Sequence, residues 1–448
     1  MDFKQNIVKL EEFAGVLFIV FGGLLTNALF KINKFYTFPS LDEMLWYFRS
    51  RIFWDKMLEM DFSGLIQSAQ PGITVYWFTG FMTKFIDYDF QSIKNMILEK
   101  AAQNIDFNHV INTNDIATFR TYEAISFAFN TPFFILQAIF FIAFYYLLKK
   151  LGFNRIIASF ALLFLVTNVF LSYWNTPSDK MLNIFMTLSF FTLLVYFDDM
   201  KKKRYLFLSA MFGAWAVLSK LSALFILPFY LLLFVYYLWP LNRRKMGRII
   251  TDYFSWILVF SLVCILFLPT IVTHPGEVYN LVFNPPRDIY YEEGYKVADY
   301  FTALYDYARG FFLVKIKYLA PWSVPALAIY MLLRIRKKHR HLLQGFPAKH
   351  VESITAYTLF FIILVVAVSR NHDIRFMSPA ILMLNVFSAI GLYAVMELVM
   401  KKSGINPKLK YVFYAVTVLV VIFSQMMYIV YKGNLRKEAV KQEIIRMK

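Results

Sequence analysis

Apolar residues in this chain are gathered into blocks instead of alternating with polar ones. Eleven blocks stand out, at about residues 12–31, 120–148, 156–173, 180–197, 205–219, 221–240, 252–271, 312–333, 352–369, 379–399 and 411–431. A helix needs roughly 20 apolar residues to cross the hydrocarbon of a bilayer, and most of the blocks have that length. A membrane barrel would instead show strands of about 10 residues with alternating polarity. The pattern therefore predicts an all-α polytopic membrane protein, a bundle of about eleven transmembrane helices. The fifth block is short and runs into the sixth with almost no linker, which predicts a tight helical hairpin between them.

The segments between blocks fall into two sets. Loops 149–155, 198–204, 242–248, 334–341 and 401–410 hold 3, 4, 4, 5 and 4 Lys or Arg. The alternate set includes the two long loops. Loop 33–119 carries ten acids and seven bases, and loop 272–311 six acids and three bases. Lys and Arg concentrate on the cytoplasmic side of membrane proteins. The basic loops and the N-terminus are thus expected inside the cell, and both long loops outside, at the plasma (inner) membrane. The stretch 71–86 (PGITVYWFTGFMTKFI) is also apolar. Counting it as a span would invert the well-marked basic loops, so it is read as an interfacial or re-entrant helix. The tail 432–448, with six bases and two acids, lies on the outer side under this count, against the charge rule. The whole reads as one membrane domain over residues 1–431, capped externally by the two long loops, followed by a basic tail.

Composition agrees. Of 448 residues, 59% are hydrophobic, 19% aromatic and only 17% charged, against about 25% charged in ordinary soluble chains. Mean hydropathy is +0.52. The net charge of +18 is accounted for by the basic loop set, so no nucleic-acid partner is inferred. The one cysteine, Cys264, excludes an internal disulfide. The N-terminal segment has no small-residue cleavage site before a full-length span, which predicts a retained first helix.

Polar groups at or above a bundle of spans are costly and so mark candidate sites. Asp42 and Glu43 open the first long loop. Ser40 and Glu43 match the S-x-x-E capping box, and Leu41, Leu45, Phe48 and Ile52 recur at helical spacing. Glu43 thus has a structural role available, and Asp42 could complement the helix dipole. A carboxylate held there could also act as general base toward a hydroxyl. Adjacent helical residues point in different directions, so one of the two is expected to do so. Gln70-Pro71-Gly72 is a turn signal. Arg120 heads the second span, where it could meet a lipid headgroup or a substrate phosphate. Arg370, His372 and Arg375 stand in a short polar loop between two apolar blocks. Loop 272–311 holds His274, Glu277 and Arg287 among many tyrosines, residues suited to sugar stacking and equally to a membrane interface. Lys220, between the fifth and sixth blocks, could snorkel to the interface. His274 and Glu277 would make a weak metal pair, because Pro275-Gly276 argues against a helix. No zinc signature, P-loop or G-x-S-x-G elbow is present.

The order of these features resembles the GT-C superfamily of membrane glycosyltransferases. The nearest likeness is to glycosyltransferase family 39, the dolichyl-phosphate-mannose–protein mannosyltransferases, and to the lipid A aminoarabinose transferases. The resemblance rests on Asp42-Glu43 with Phe48-Arg49, Gln70-Pro71-Gly72 where the family reads H-P-G, Ser219-Lys220-Leu221-Ser222 where it reads T/S-K-x-S, and Arg375-Phe376-Met377-Ser378-Pro379. It runs from about residue 12 to 400. It implies an inverting transfer of a sugar from a polyprenyl-phosphate donor to a hydroxyl acceptor at the outer face. Asp42 would be the base, supported in the first loop by Glu43 and Gln70. Arg120, Arg375, Arg370 and Lys220 would bind the donor phosphate, and His274, Arg287 and His372 would line a sugar or acceptor loop. Gln70 replaces the family histidine, so a role needing an imidazole there is not carried over. No soluble outer domain is present, so protein is not singled out above lipid or glycan as acceptor. No cofactor is implied with certainty, and a divalent cation is left open. The alternatives are a transporter or flippase of lipid-linked saccharides, which usually shows internal repeats not seen here, and a polymerase or ligase using the same donor class.

Overall fold

The computed structural model of the chain describes residues 11–25, 41–67, 72–89, 91–93, 95–96, 116–166, 177–239, 242–283, 323–335, 347–368, 378–403, 412, 414–420, 422–424 and 427. These residues form helices and turns without strands. In chain order the helices are α1 (11–25), α2 (Leu41–Leu58), the composite α3 (73–85), α4 (Ile116–Lys150), α5 (Arg155–Val166), α6 (Pro177–Asp198) and α7 (Lys203–Ser219). A 3₁₀ turn, Leu221–Phe225, leads into α8 (Ile226–Leu238). Then come α9 (Arg243–Phe267), the short α10 (Thr270–Thr273), α11 (Pro275–Phe283), α12 (Ser323–Ile335), α13 (Ala348–Val368) and α14 (Ser378–Ser403).

Among the described residues, five helices are long and apolar enough to cross a membrane: Arg120–Lys150 in α4, Pro177–Asp198, Leu221–Leu238, Arg243–Phe267 and Ser378–Met400 in α14. Each matches an expected span. The other six expected spans coincide with helical stretches (11–25, α5, α7, α12, α13 and 414–420) that fall short of that measure among the described residues. The tail 432–448 lies outside the described residues.

Helix α6 is the centre of the bundle. Nearly every side chain from Ser178 to Phe197 is buried, and α4, α7 and α14 pack around it. A helix apolar on all sides is stable only when enclosed in this way. The tight antiparallel pair is α6 with α7, not the expected pair of the fifth and sixth blocks. Two features account for this. Lys220 is extended (φ −159°, ψ 129°), which ends α7 sharply. Gly213 also opens the face of α7 to Trp256 of α9, where a Cβ would come within 2.9 Å of the indole. The Trp256 Nε1–H donates to Ser209 Oγ at 3.0 Å, so α9 takes the place the sequence assigned to α8.

Helix α2 forms where expected, beginning at Leu41; the Ser40 cap lies outside the described residues. Its buried stripe is not Leu45, Phe48 and Ile52, however. Leu45 is 36% exposed, while Trp46, Tyr47, Ser50, Phe53 and Trp54 are buried. Both sets have helical spacing, and the larger aromatic area decides which one turns inward.

The described parts of the two loop sets lie at opposite ends of the bundle. At the basic end, Lys150 Nζ donates to Tyr205 Oη at 2.6 Å and Arg248 Nη2 to Met200 O at 3.2 Å. Lys203, Arg248 and Tyr196 close on the buried Asp252 carboxylate. His350 Nε2 lies 2.8 Å from Asp198 Oδ1. The other end carries the N-termini of α6 and α14, the C-termini of α7 and α9, and the segments 58–67 and 72–80.

Candidate functional site

The site builds up from Gly72. Its φ of +60° falls in the left-handed region, which suits glycine. The Trp46 ring of α2 lies against it so closely that a Cβ would be 2.1 Å from Cζ3. Gly72 N–H donates to Ser219 O at 3.3 Å, at the end of α7. Ser219 Oγ donates to Trp215 O at 2.7 Å, so its remaining lone pairs accept from Thr74 Oγ1 at 2.6 Å. The first-loop Pro-Gly motif and the Ser-Lys motif, about 150 residues apart in sequence, are thus bonded to each other by main chain and side chain.

Lys220 follows at once. It is 7% exposed, and its Nζ sits 2.7 Å from Oδ1 of Asp179, itself 2% exposed. The ammonium does not snorkel to a surface. A buried charge needs a partner, and Asp179 in the first turn of α6 supplies one that also complements the positive end of that helix. One turn further along α6, Asn183 Oδ1 accepts from Ser378 Oγ at 3.0 Å. Asn183 Nδ2 has no partner among the described residues. Ser378 belongs to the Arg375-Phe376-Met377-Ser378-Pro379 motif, so the N-terminal end of α6 meets described residues of three of the four sequence motifs.

The fourth enters through α2. The backbone places Asp42 one turn before Trp46, and Glu43 one turn before Tyr47; their side chains lie outside the described residues. Arg49 of the same motif sits with its guanidinium 5.8 Å from the Trp46 ring. Tyr47 Oη donates to Ser126 Oγ of α4 at 3.2 Å. Arg120 is exposed, half a turn before Tyr122, whose ring lies 6.3 Å from that of Tyr47. It therefore stands at the same end of the bundle as Lys220.

The segment after Gly72 is neither a span nor one regular helix. An α turn (Ile73–Val75), a π turn (Tyr76–Gly80) and a 3₁₀ turn (Phe81–Phe85) succeed one another. Ile73, Thr74, Val75, Tyr76, Thr79 and Thr83 are buried, while Phe85 is exposed. The carbonyl of Tyr76, at the start of the π turn, accepts from Trp54 Nε1 at 2.8 Å. Single π turns often mark functional sites.

The two long loops meet at this end. Gly64 N–H donates to both carboxylate oxygens of Glu277, at 3.2 and 3.0 Å. Thr270 Oγ1 donates to Phe62 O at 2.9 Å, and Trp77 Nε1 to Phe267 O at 2.9 Å. Asp61 holds the turn before Gly64. Hydrogen bonds from Ser63 and Lys56 bring its carboxyl down to about 2. Glu277 is thereby tied to the first loop instead of facing His274. Pro275 opens helix α11 where the sequence spoke against one, because proline at the first helical position has no N–H to leave unpaired. His274 is exposed, its Nδ1 3.0 Å from Thr273 Oγ1. No group of three or more His, Cys, Asp or Glu is placed to hold a metal among the described residues.

Of the residues singled out in the sequence, Lys220 and the Gly72 turn are brought together. Arg120 and His274 lie at the same end of the bundle. Gln70, Arg287, Arg370, His372 and Arg375 lie outside the described residues. The sequence reading missed Asp179. Its signal was an acid just inside the start of an apolar block, in Pro177-Ser178-Asp179-Lys180.

Comparisons with known proteins bear on the family and the fold. The model of the dolichyl-phosphate-mannose-protein mannosyltransferase family matches residues 84–290, a stretch that includes Asp179, Ser219 and Lys220 but not Asp42 or Gly72. No curated protein sequence matches the chain. Among solved structures, the archaeal oligosaccharyltransferase AglB from Archaeoglobus fulgidus, in complex with an inhibitory peptide and a dolichol-phosphate, is similar with a TM-score of 0.54 at 11% identity. The match covers 95% of this chain and 56% of that one, so this chain spans little more than half its length. The chain is thus a membrane protein, helical in its described residues, with a fold like that of this archaeal oligosaccharyltransferase, and it resembles the dolichyl-phosphate-mannose-protein mannosyltransferases over the segment their model matches.

Proposed function

We propose that the chain is a glycosyltransferase that moves a sugar from a polyprenyl-phosphate donor to a hydroxyl acceptor, with inversion at the anomeric carbon. The observation that carries the reading is the bonding of the Gly72 turn to Ser219 beside the buried Lys220–Asp179 pair. Gly72 also packs against Trp46, one turn after Asp42 on α2, which supports setting the base and a buried cation at one end of the bundle. The family match and the GT-C fold support the same class.

In this reading Asp42 accepts the proton of the acceptor hydroxyl, and the resulting oxygen attacks the anomeric carbon from the face opposite the phosphate. The bond from that carbon to the phosphate oxygen breaks, and polyprenyl phosphate departs with the extra negative charge. A cation held in a water-poor site stabilises that charge far better than one in solvent. Lys220 is so placed, its position fixed by Asp179. Arg120 at the mouth of α4, with Arg370 and Arg375, would complete the phosphate site. His274, Arg287 and His372 would serve the sugar or acceptor. The lipid tail would lie between spans, and the site would face outward, away from the basic end. The acceptor is a hydroxyl of a lipid, a glycan or a protein.

The test is transfer of radiolabel from a polyprenyl-phosphate sugar mixture to membrane acceptors, with wild type and Asp42→Asn side by side. Transfer that is present in wild type and lost in the folded variant supports the reading. Absence of transfer in both, with folded protein confirmed, removes it.

A further inference from the structure

Tyr76 is buried to 0% exposure, and its hydroxyl has no hydrogen-bond partner among the described residues. Everything else about the residue is fixed. Its N–H donates to Gly72 O at 3.2 Å, its carbonyl accepts from Trp54 Nε1 at 2.8 Å, and its ring packs 5.2 Å from Phe53 and 5.8 Å from Trp46. Burying a hydroxyl without a partner is costly, and phenylalanine would fill the same space without that cost. An orphan of this kind calls for an explanation outside the resting structure. The surroundings point to one. Tyr76 lies one turn from Gly72, which bonds Ser219 next to Lys220, and the Arg49 guanidinium lies 5.8 Å from the Trp46 ring on which Tyr76 packs. A phenol with an ordinary pKa of about 10 keeps its proton at neutral pH and can donate it in a hydrogen bond. A donor near a guanidinium suits an anionic oxygen.

We propose that Tyr76 Oη donates a hydrogen bond to a phosphoryl oxygen of a ligand that binds beside the Gly72 turn. This deepens the glycosyltransferase reading and rests on it for the identity of the phosphate carrier. Phosphoryl oxygens also occur on phospholipid headgroups and on free phosphate, so the test separates the three sources.

The full-length protein in detergent is titrated with polyprenyl monophosphate, with phosphatidylglycerol and with inorganic phosphate. Wild type, Tyr76→Phe and Tyr88→Phe are compared for affinity and for melting temperature. Tyr88 also has a buried, unpartnered hydroxyl but lies beyond α3, beside Arg51. The expected result is an affinity for polyprenyl monophosphate about tenfold or more weaker in Tyr76→Phe alone, with a melting temperature equal to or above wild type. The same loss toward phosphatidylglycerol or inorganic phosphate would support the phosphoryl contact and name that carrier instead. Wild-type affinity for all three ligands in Tyr76→Phe, or an equal loss in Tyr88→Phe, overturns the proposal. Sugar transfer is measured on the same samples. Absent transfer in wild type with Tyr76-dependent phosphate binding would remove the enzyme reading and keep the contact. Normal transfer and normal affinity in Tyr76→Phe would do the reverse.

Discussion

Lys220 Nζ lies 2.7 Å from Asp179 Oδ1, with both residues buried, at the junction of α6, α7 and the Gly72 turn. Removing one partner of such a pair leaves a buried charge uncompensated, typically at a cost of about 3–5 kcal/mol. Replacing both by apolar residues of similar volume is often neutral. Asp179→Leu and Lys220→Met are each expected to lower stability in detergent by that order, and the double variant to recover most of it. Recovered stability without recovered transfer assigns Lys220 a role in chemistry. Recovery of both leaves the pair purely structural.

Gly72 has no room for a side chain. A left-handed backbone costs a non-glycine residue roughly 1–2 kcal/mol, and a Cβ would collide with the Trp46 ring at 2.1 Å. Gly72→Ala is expected to displace α2 from the turn and abolish transfer. Pairing it with Trp46→Leu removes the collision but not the backbone strain, so stability should return only in part. Melting curves of the single and double variants measure this.

Asp42 and Glu43 sit side by side in the first turn of α2. Asp42→Asn is expected to abolish transfer with expression and melting temperature unchanged. Glu43→Gln is expected to be milder and to act partly through stability, by about 1 kcal/mol or less if it closes a capping box with Ser40. An equal loss in both variants at unchanged stability would make the two carboxylates a joint site.

The turn Asp61–Gly64 presents the N–H that Glu277 accepts. Its Asp61 carboxyl is lowered from the ordinary 3.8 to about 2, first of all by the hydrogen bonds from Ser63. A lowered carboxylate pKa stabilises the fold fully above the ordinary value, and this contribution is lost as pH falls toward the lowered one. The turn should therefore hold from neutral pH down to about 4 and loosen only between there and about 2. Asp61→Asn should release it at neutral pH. Proteolysis next to Lys56, followed against pH with an acid-tolerant protease, checks both statements.

Arg120 is exposed whereas Lys220 is buried. Arg120→Ala is expected to weaken binding of a polyprenyl phosphate while leaving melting temperature within error, since exposed substitutions rarely move stability by more than about 0.5 kcal/mol. Unchanged affinity in this variant would take Arg120 out of the phosphate site.

The sequence by itself determined that this is a helical membrane protein, because blocks of apolar residues have one stable solution in a bilayer. It also separated the two ends of the bundle, through basic loops of which the described ones, 149–155, 198–204 and 242–248, lie together at one end. It located Gly72 and Lys220, because a Pro-Gly turn and a charge between apolar blocks are visible without contacts. Helical periodicity could not choose the buried face of α2, where two apolar stripes compete and aromatic area breaks the tie. It could not show that α9 rather than α8 packs on α7, which depends on Gly213 meeting Trp256 across the bundle. Asp179 and Glu277 were readable as acids. Their partners, Lys220 and the Gly64 N–H, are 41 and 213 residues away in the chain. Only the folded bundle brings such distant groups within hydrogen-bond reach, so only the tertiary structure decided what each carboxylate holds.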